Sequence, residues 1–150
     1  MFAAARITFP FFLFLSFMPL HIHTPLLESS AISEIMGRSV WLKMEALQPS
    51  GSFKIRGIGF ACEAYRRRGA KRFISSSGGN AGLAVAYAGR CLSVPVIVVV
   101  PESTSPRAQA LIRLEQAQVV VHGKSWMEAH TFARALVQPN DALLHPFDDP

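Results

Sequence analysis

The sequence has few cysteines and few charged residues, and each shortage excludes a class of protein. Its two cysteines, Cys62 and Cys91, are 29 positions apart and form no CxxC pair, which argues against a disulfide scaffold and a structural zinc site. A reducing compartment, most simply the cytosol, is therefore expected. Only 17% of the 150 residues are charged and 50% are apolar, which excludes a disordered chain and allows about one domain with a core.

Acidic residues are absent before Glu28, and the formal net charge of +5 depends on one basic cluster. That cluster comprises Arg66, Arg67, Arg68, Lys71 and Arg72. No aromatic residue lies among these charges, and Gly69 is predicted to end a helix inside the cluster. We therefore expect a solvated helix end and no nucleic-acid partner. The five histidines are scattered over different predicted elements, so no metal site is expected.

Residues 1–23 form an apolar extension in which six of the eleven phenylalanines lie between Phe2 and Phe17. Arg6 and the apolar run after it are typical of a signal peptide, but no small-residue cleavage site follows. Pro10 and Pro19 interrupt the run, which is too short to span a bilayer. Three interpretations stay open: a poor signal or membrane anchor, a buried N-terminal arm, and an alternative start outside the fold.

From Thr24 to Pro150 the pattern is that of an α/β protein. Short apolar runs predict strands at 40–44, 73–75, 96–100, 119–121 and 142–145. Helices are predicted at 30–36 before Gly37, over 55–65, over 83–91, after the cap Ser105, and after a capping box of Ser125 and Glu128. Strands and helices alternate four times, which predicts a doubly wound, mostly parallel sheet with ligands at the carboxyl ends of its strands.

One segment with possible chemistry runs from Gly51 to Gly57 and places Lys54 in the first turn of a helix. A helix N-terminus is electropositive, which makes it an unfavourable position for a purely structural cation. The position therefore suggests a chemical role for the amine, such as condensation with a carbonyl group. Surface lysines at helix starts are common, however, and this segment alone does not decide between the two interpretations.

A second segment, Ser75-Ser76-Ser77-Gly78-Gly79-Asn80-Ala81-Gly82, lies between a predicted strand and a predicted helix. Adjacent glycines allow backbone N–H groups to face an anion, and the helix start adds its dipole, so a carboxylate or phosphate fits there. The segment lacks the Gly-Lys-Ser/Thr of a P-loop and the spacing of a dinucleotide fingerprint. A plain strand-to-helix turn remains the alternative.

Together, the two segments resemble the L-serine dehydratase and threonine deaminase family of pyridoxal-phosphate enzymes. The resemblance runs from about His21 to Pro150 and includes Leu42-Lys43-Met44-Glu45, Gln48 to Gly57, Ser76 to Gly82 and Pro146-Phe147-Asp148-Asp149-Pro150. It is nearest to the serine dehydratase-like branch, since Thr24 to Ser29 and Pro101 to Ser105 also fit. Gly78 stands where serine dehydratase proper tends to carry Ala. The implied fold is the tryptophan-synthase-β-like fold, fold type II of these enzymes.

The resemblance implies a role for each residue of the two segments. Lys54 matches the catalytic lysine that bonds covalently to pyridoxal 5′-phosphate, and Phe53 the ring that packs on the pyridine. Asn80 matches the residue that binds the cofactor's phenolic oxygen. Ser77, Gly78 and Gly79, with Asn80, match the loop that receives the carboxylate of an amino acid substrate. The implied reaction is β-elimination of L-serine, and of L-threonine, to pyruvate or 2-oxobutanoate and ammonia.

The family continues well beyond the position of Pro150, and its later half carries the loop that binds the cofactor phosphate. We therefore expect a truncated, N-terminal part of the dehydratase domain over 24–150, with weak cofactor binding and slow turnover. We also expect the strand at 96–100 to expose apolar surface. Two alternatives remain: a non-catalytic fragment that associates with a full-length homologue or forms a homodimer, and a serine racemase-like enzyme, which shares the segment around Lys54.

Overall fold

The computed structural model describes residues 19–147, so the interpretations of the Phe-rich run before Pro19 concern positions outside the described residues. Its helices and strands, in chain order, are β1 (Leu26–Glu28), α1 (Ser30–Met36), β2 (Trp41–Lys43), α2 (Lys54–Arg67), β3 (Arg72–Ser75), α3 (Asn80–Leu92), β4 (Val96–Val100), α4 (Pro106–Leu114), β5 (Gln118–Val121), α5 (Trp126–Ala135) and β6 (Asp141–Leu144), with a 3₁₀ turn at Glu45–Leu47. None of the helices in this part of the chain is long and apolar enough to cross a membrane.

Four parallel strands form the main sheet in the order β5-β4-β3-β6. One face carries the larger apolar cluster, in which Ile55 and Cys62 of α2, Val85 of α3 and Ile112 of α4 are buried. The other face packs against α5, whose Ala129 and Ala133 are fully buried with Ile74 and Val99. Helices therefore cover both faces, which confirms the predicted doubly wound parallel α/β fold.

Two residues that the sequence predicts to end or cap a helix do so in the structure. Gly37 adopts a left-handed conformation (φ +62°) and ends α1, and the Ser105 hydroxyl accepts a hydrogen bond from the Ala108 N–H at 3.2 Å. The capping box of α5 is only half formed. Ser125 Oγ accepts from the Glu128 N–H at 3.2 Å, but the Glu128 carboxylate accepts from the N–H of Lys124, one residue before the cap.

The strand predicted at 40–44 is shorter and pairs with a strand that was not predicted. β2 runs antiparallel to β1, with Leu27 opposite Leu42, and the two form a sheet of their own. All six of their residues are exposed, as are most residues of α1. This small layer therefore lies on the surface of the described structure.

The prediction that the strand at 96–100 exposes apolar surface is wrong. In β4, Val96, Val98, Val99 and Val100 are buried, and Ile97 is half-buried. The strand lies between β3 and β5, and helices of this same chain cover both of its faces. Its cover is therefore supplied locally.

A polar network joins the start of the described chain to α2. The Glu45 carboxylate accepts hydrogen bonds from the buried Thr24 hydroxyl at 2.6 Å and from two nitrogens of Arg56 at 2.8 and 2.9 Å. Gln48 donates to the carbonyl of Ile22 and accepts from its N–H, both at 2.9 Å. Because Arg56 lies two residues after Lys54, this network fixes the first turn of α2.

Candidate active site

Lys54 is the first residue of α2, and its amine points toward the end of β6. The Nζ atom donates a hydrogen bond to the carbonyl oxygen of Pro146 at 2.8 Å. Lys54 is half-buried, and Pro146 is buried two residues after the last residue of β6. The structure thus joins a helix start and a strand end that are 92 positions apart in the sequence.

The strand register brings this amine to the loop of the second segment. β3 and β6 are parallel neighbours with Ser75 opposite Leu144, so the chain leaves both strands at the same edge. The amine of Lys54 therefore lies at the carboxyl edge of the sheet, the edge at which the chain also leaves β3 for the loop before α3.

Two aromatic rings flank the amine. The Nζ atom of Lys54 lies 5.8 Å from the centre of the Phe53 ring and 5.3 Å from that of Phe147. These rings are 58% and 78% exposed, so large apolar surfaces beside the amine face the solvent. They border a cavity of about 600 Å³, which lies along α2 and is also lined by Phe60, Tyr65 and His145. A cavity of this size accommodates a small organic ligand.

The loop leads directly into α3, which begins at Asn80. The preceding residue, Gly79, has no side chain that could cap the helix, and its N–H donates to Ser77 Oγ at 3.3 Å. The N–H groups at this helix start are therefore available to an anion. Gly79 and Asn80 are exposed, whereas Ser77 and Gly78 are half-buried.

The loop packs closely on the first turn of α3 because residue 82 is a glycine. A Cβ atom at Gly82 would lie 1.7 Å from the carbonyl oxygen of Ser77. A Cβ atom at Gly78 would lie 2.6 Å from Cγ2 of Thr104, in the loop after β4. Backbone and side chains thus hold the loop from both sides.

Sequence reasoning missed an aromatic cluster on the α5 side of the same edge. Nδ1 of His130 and the buried Ser76 Oγ share a hydrogen bond at 2.9 Å. The rings of His130 and His145 meet edge to face at 5.1 Å, and Trp126 stacks on His130 at 5.0 Å. His130 and His145 belong to different parts of the chain, as predicted, but the order of the strands brings their rings together. The spacing of Trp126 and His130, one helical turn apart, was the only available signal, since β6 brings in His145.

The electrostatics of this cluster favour a neutral imidazole. Burial lowers the pKa of His130 below its ordinary value, and the nearby His145 and Arg134 lower it further. The neutral form of the ring is therefore favoured, and its Nδ1 atom lies within hydrogen-bond distance of the Ser76 hydroxyl.

Comparisons with known proteins agree with this geometry. Residues 18–150 match the family described as "Pyridoxal-phosphate dependent enzyme". The chain is 47% identical to human "Serine dehydratase-like" over 133 residues and to human "L-serine dehydratase/L-threonine deaminase" over 134. Each comparison covers 88% of this chain, but only 40% and 41% of the respective relative. The chain thus spans about two fifths of the length of these relatives.

Solved structures show the same fold. The L-serine ammonia-lyase of Rhizomucor miehei superposes with a TM-score of 0.82 at 40% identity, over 88% of this chain and 42% of that one. The serine racemase of Dictyostelium discoideum superposes with a TM-score of 0.77 at 31% identity, over 86% of this chain and 43% of that one. In both comparisons, the superposed parts share the same fold. With the match over 18–150, these findings show that the chain belongs to the pyridoxal-phosphate dependent enzyme family.

Proposed function

We propose that this chain carries the lysine-bearing half of a site that eliminates water from L-serine, and from L-threonine, to give a 2-oxo acid and ammonia. One observation carries the proposal: the amine of Lys54 lies between two aromatic rings at the carboxyl edge of the sheet, beside the loop before α3. The two human relatives whose names refer to serine dehydratase support the choice of reaction. Because the chain spans two fifths of those relatives, the activity is a proposal for the whole protein.

The residues present fit pyridoxal phosphate. The Lys54 amine faces a cavity large enough for the pyridine ring. Its hydrogen-bond acceptor, the Pro146 carbonyl oxygen, does not compete with the amine as a nucleophile for the aldehyde of the cofactor. Exposed faces of Phe53 and Phe147 offer stacking surfaces, and Asn80, at the start of α3, offers a side-chain amide for the phenolic oxygen of the cofactor. When bound, the cofactor supplies an electron sink that stabilises negative charge at the substrate Cα.

In this proposal, two parts of the chain act on the substrate. The backbone N–H groups of Ser77 and Gly78, in the loop before α3, and those of the first turn of α3 bind the substrate carboxylate and fix its orientation. The free amine of Lys54 then accepts the proton from Cα, acting as a general base at the position its hydrogen bond to Pro146 defines. The β-hydroxyl leaves as water, taking the proton that the Lys54 amine removed from Cα. The released enamine becomes an imine, and its hydrolysis by a second water gives the 2-oxo acid and ammonia.

A serine racemase-like reaction is the alternative, because it needs the same proton removal at Cα. It differs in the product, which is D-serine instead of pyruvate. Incubation of the purified 150-residue chain with pyridoxal phosphate and L-serine, followed by chiral amine analysis and an oxo-acid assay, separates the two. We expect pyruvate and ammonia in equal amounts, and 2-oxobutanoate from L-threonine. D-Serine without pyruvate would overturn the elimination reaction.

The cofactor itself is tested by titrating pyridoxal phosphate into the wild-type chain and Lys54→Ala, with Lys124→Ala as the matched control. Lys124 is an exposed lysine in the loop before α5, and it does not line the cavity at Lys54. We expect a saturable visible absorption band in the wild type and the control, and its loss in Lys54→Ala. Equal spectra in all three chains would refute the proposal.

A second role, association with a longer relative, is favoured by the exposed apolar side chains of the small β1–β2 layer. Ile35 of α1 is 81% exposed and Trp41 of β2 is 56% exposed. Co-purification of the tagged chain with a co-expressed full-length serine dehydratase, compared with the Ile35→Ser/Trp41→Ser variant, tests this role. Capture by both variants equally would count against this surface.

A further inference from the structure

The first turns of α5 contact both halves of the proposed site from the opposite side of the sheet. Through Nδ1, His130 holds the hydroxyl of Ser76, the residue that immediately precedes the substrate loop. Ser76 is fully buried, and the Oγ atom of its neighbour Ser75 is buried without a hydrogen-bond partner. The hydrogen bond to His130 therefore fixes the Ser76 side chain at the point where β3 passes into the loop.

The same part of α5 also reaches the segment after β6. Trp126 stacks on His130, with ring planes 17° apart, and meets the rings of His145 and Phe147 at 5.9 and 6.0 Å. Phe147 in turn lies beside the Lys54 amine, whose hydrogen-bond acceptor is the adjacent carbonyl of Pro146. One packed cluster therefore contacts both the residue before the loop and the segment that holds Lys54.

We propose that His130 is a positioning residue, which fixes Ser76 and thereby keeps the substrate loop, residues 77–80, level with the amine of Lys54. The inference deepens the proposed function and rests on it for its effect on catalysis. His130 does not contact the substrate in this proposal. It acts through a hydrogen bond to a buried hydroxyl, and the stack on Trp126 keeps its ring in the required orientation.

Two substitutions separate the hydrogen bond from the shape of the side chain. In His130→Leu the bond is lost, and the buried Ser76 hydroxyl has no partner on α5. In His130→Asn the side-chain amide lies near the position of Nδ1, and the bond can form again. Ser76→Ala removes the bond from the other side with a smaller change of volume. His122→Leu is the matched control. His122 follows β5 and stacks on Phe132 of α5 at 4.0 Å, but it lies outside the cluster of Trp126, His130, His145 and Phe147.

Amide hydrogen exchange in the full 150-residue chain, without cofactor, tests the structural part. We expect exchange at Leu83, whose N–H donates to the carbonyl oxygen of Gly79 in the loop at 3.1 Å, to be about tenfold faster in His130→Leu and Ser76→Ala, and to return to the wild-type rate in His130→Asn. His122→Leu should leave it unchanged. Unchanged exchange in both His130→Leu and Ser76→Ala would overturn the proposal, and so would equal acceleration throughout the chain. This readout does not depend on pyridoxal phosphate, so it remains decisive if the proposed function fails.

The catalytic part is tested with L-serine in the chain loaded with pyridoxal phosphate. We expect His130→Leu to raise KM for L-serine about tenfold, with the affinity for pyridoxal phosphate changed less than about threefold, and His130→Asn to restore KM. Equal losses of cofactor and serine affinity without rescue would show a merely structural role and overturn the positioning role. A wild-type chain inert toward serine would refute turnover by this chain alone, and the exchange rates would then decide the role of His130.

Discussion

Lys54 begins a helix, where the N–H groups of the first turn disfavour a cation. The Pro146 carbonyl oxygen offsets this by accepting a hydrogen bond from the Lys54 amine. The type of residue and its position at the helix start could be predicted from the sequence. Its acceptor could not, because 92 residues separate the two partners and only the parallel pairing of β3 and β6 joins them. The catalytic interpretation of Lys54 therefore depends on a long-range contact.

Two helical glycines, Gly57 and Gly82, are expected to respond to alanine in opposite directions. At Gly82 the new Cβ would lie 1.7 Å from the Ser77 carbonyl oxygen, so the loop or α3 must shift. We expect Gly82→Ala to lower the free energy of unfolding by about 2 kcal/mol or more, as overpacking does. At Gly57, within α2, nothing lies within 4 Å of the new atom, and Gly57→Ala should add about 0.5–1 kcal/mol.

Urea unfolding of the two glycine variants at pH 7 gives both values. A Gly82→Ala variant as stable as wild type would show that the loop does not pack on α3 as described. A destabilised Gly57→Ala variant would show a close neighbour at that face of α2.

At the scale of elements, the Glu45 network ties the segment at Ile22–Thr24 to α2, and it carries a pH dependence. Hydrogen bonds from Arg56 and Thr24 lower the pKa of Glu45 from its ordinary 4.5 to about 2. A carboxyl whose pKa is lowered by folding stabilises the folded state above its unfolded pKa, and this stability is lost as it becomes protonated. The loss is therefore expected as the pH falls from about 4.5 to about 2.

Glu45→Gln tests this dependence, with Glu34→Gln on the exposed side of α1 as control. We expect Glu45→Gln to be less stable than wild type at pH 7 and to show a flatter decline of the thermal midpoint between pH 4.5 and 2. The control should decline like the wild type. Parallel declines in all three chains would show that Glu45 does not contribute this acid sensitivity.

The elements differ in how well the sequence alone predicts them. Ser30–Met36 and Val96–Val100 have the predicted bounds, because Gly37 and the prolines at 95 and 101 mark their ends. β1 was missed because its three exposed residues, Leu26–Glu28, show no alternation and depend on pairing with β2. The helices that begin in the two predicted site segments, α2 and α3, pack against each other. The supporting contacts of His130 could not be predicted, since they arise from the order of the strands.

At the scale of the whole molecule, one group of exposed apolar side chains lies in the β1–β2 layer and the adjoining α1. Large apolar side chains that are at least half exposed lie on β1, α1 and β2: Leu26, Leu27, Ile35, Met36 and Trp41. Such surface favours association. We expect sedimentation velocity to show concentration-dependent association of the chain, and Ile35→Ser/Trp41→Ser to weaken it at least fivefold. A monomer at all concentrations would contradict this prediction.

The central claim is that Lys54 is the residue that bonds to pyridoxal phosphate. The most direct measurement is borohydride reduction of the 150-residue chain mixed with pyridoxal phosphate, followed by peptide mass mapping. We predict one pyridoxyl group, on Lys54, with Lys43, Lys71 and Lys124 unlabelled under conditions that saturate the site. Labelling spread equally over the four lysines, or absent from Lys54, would contradict the account.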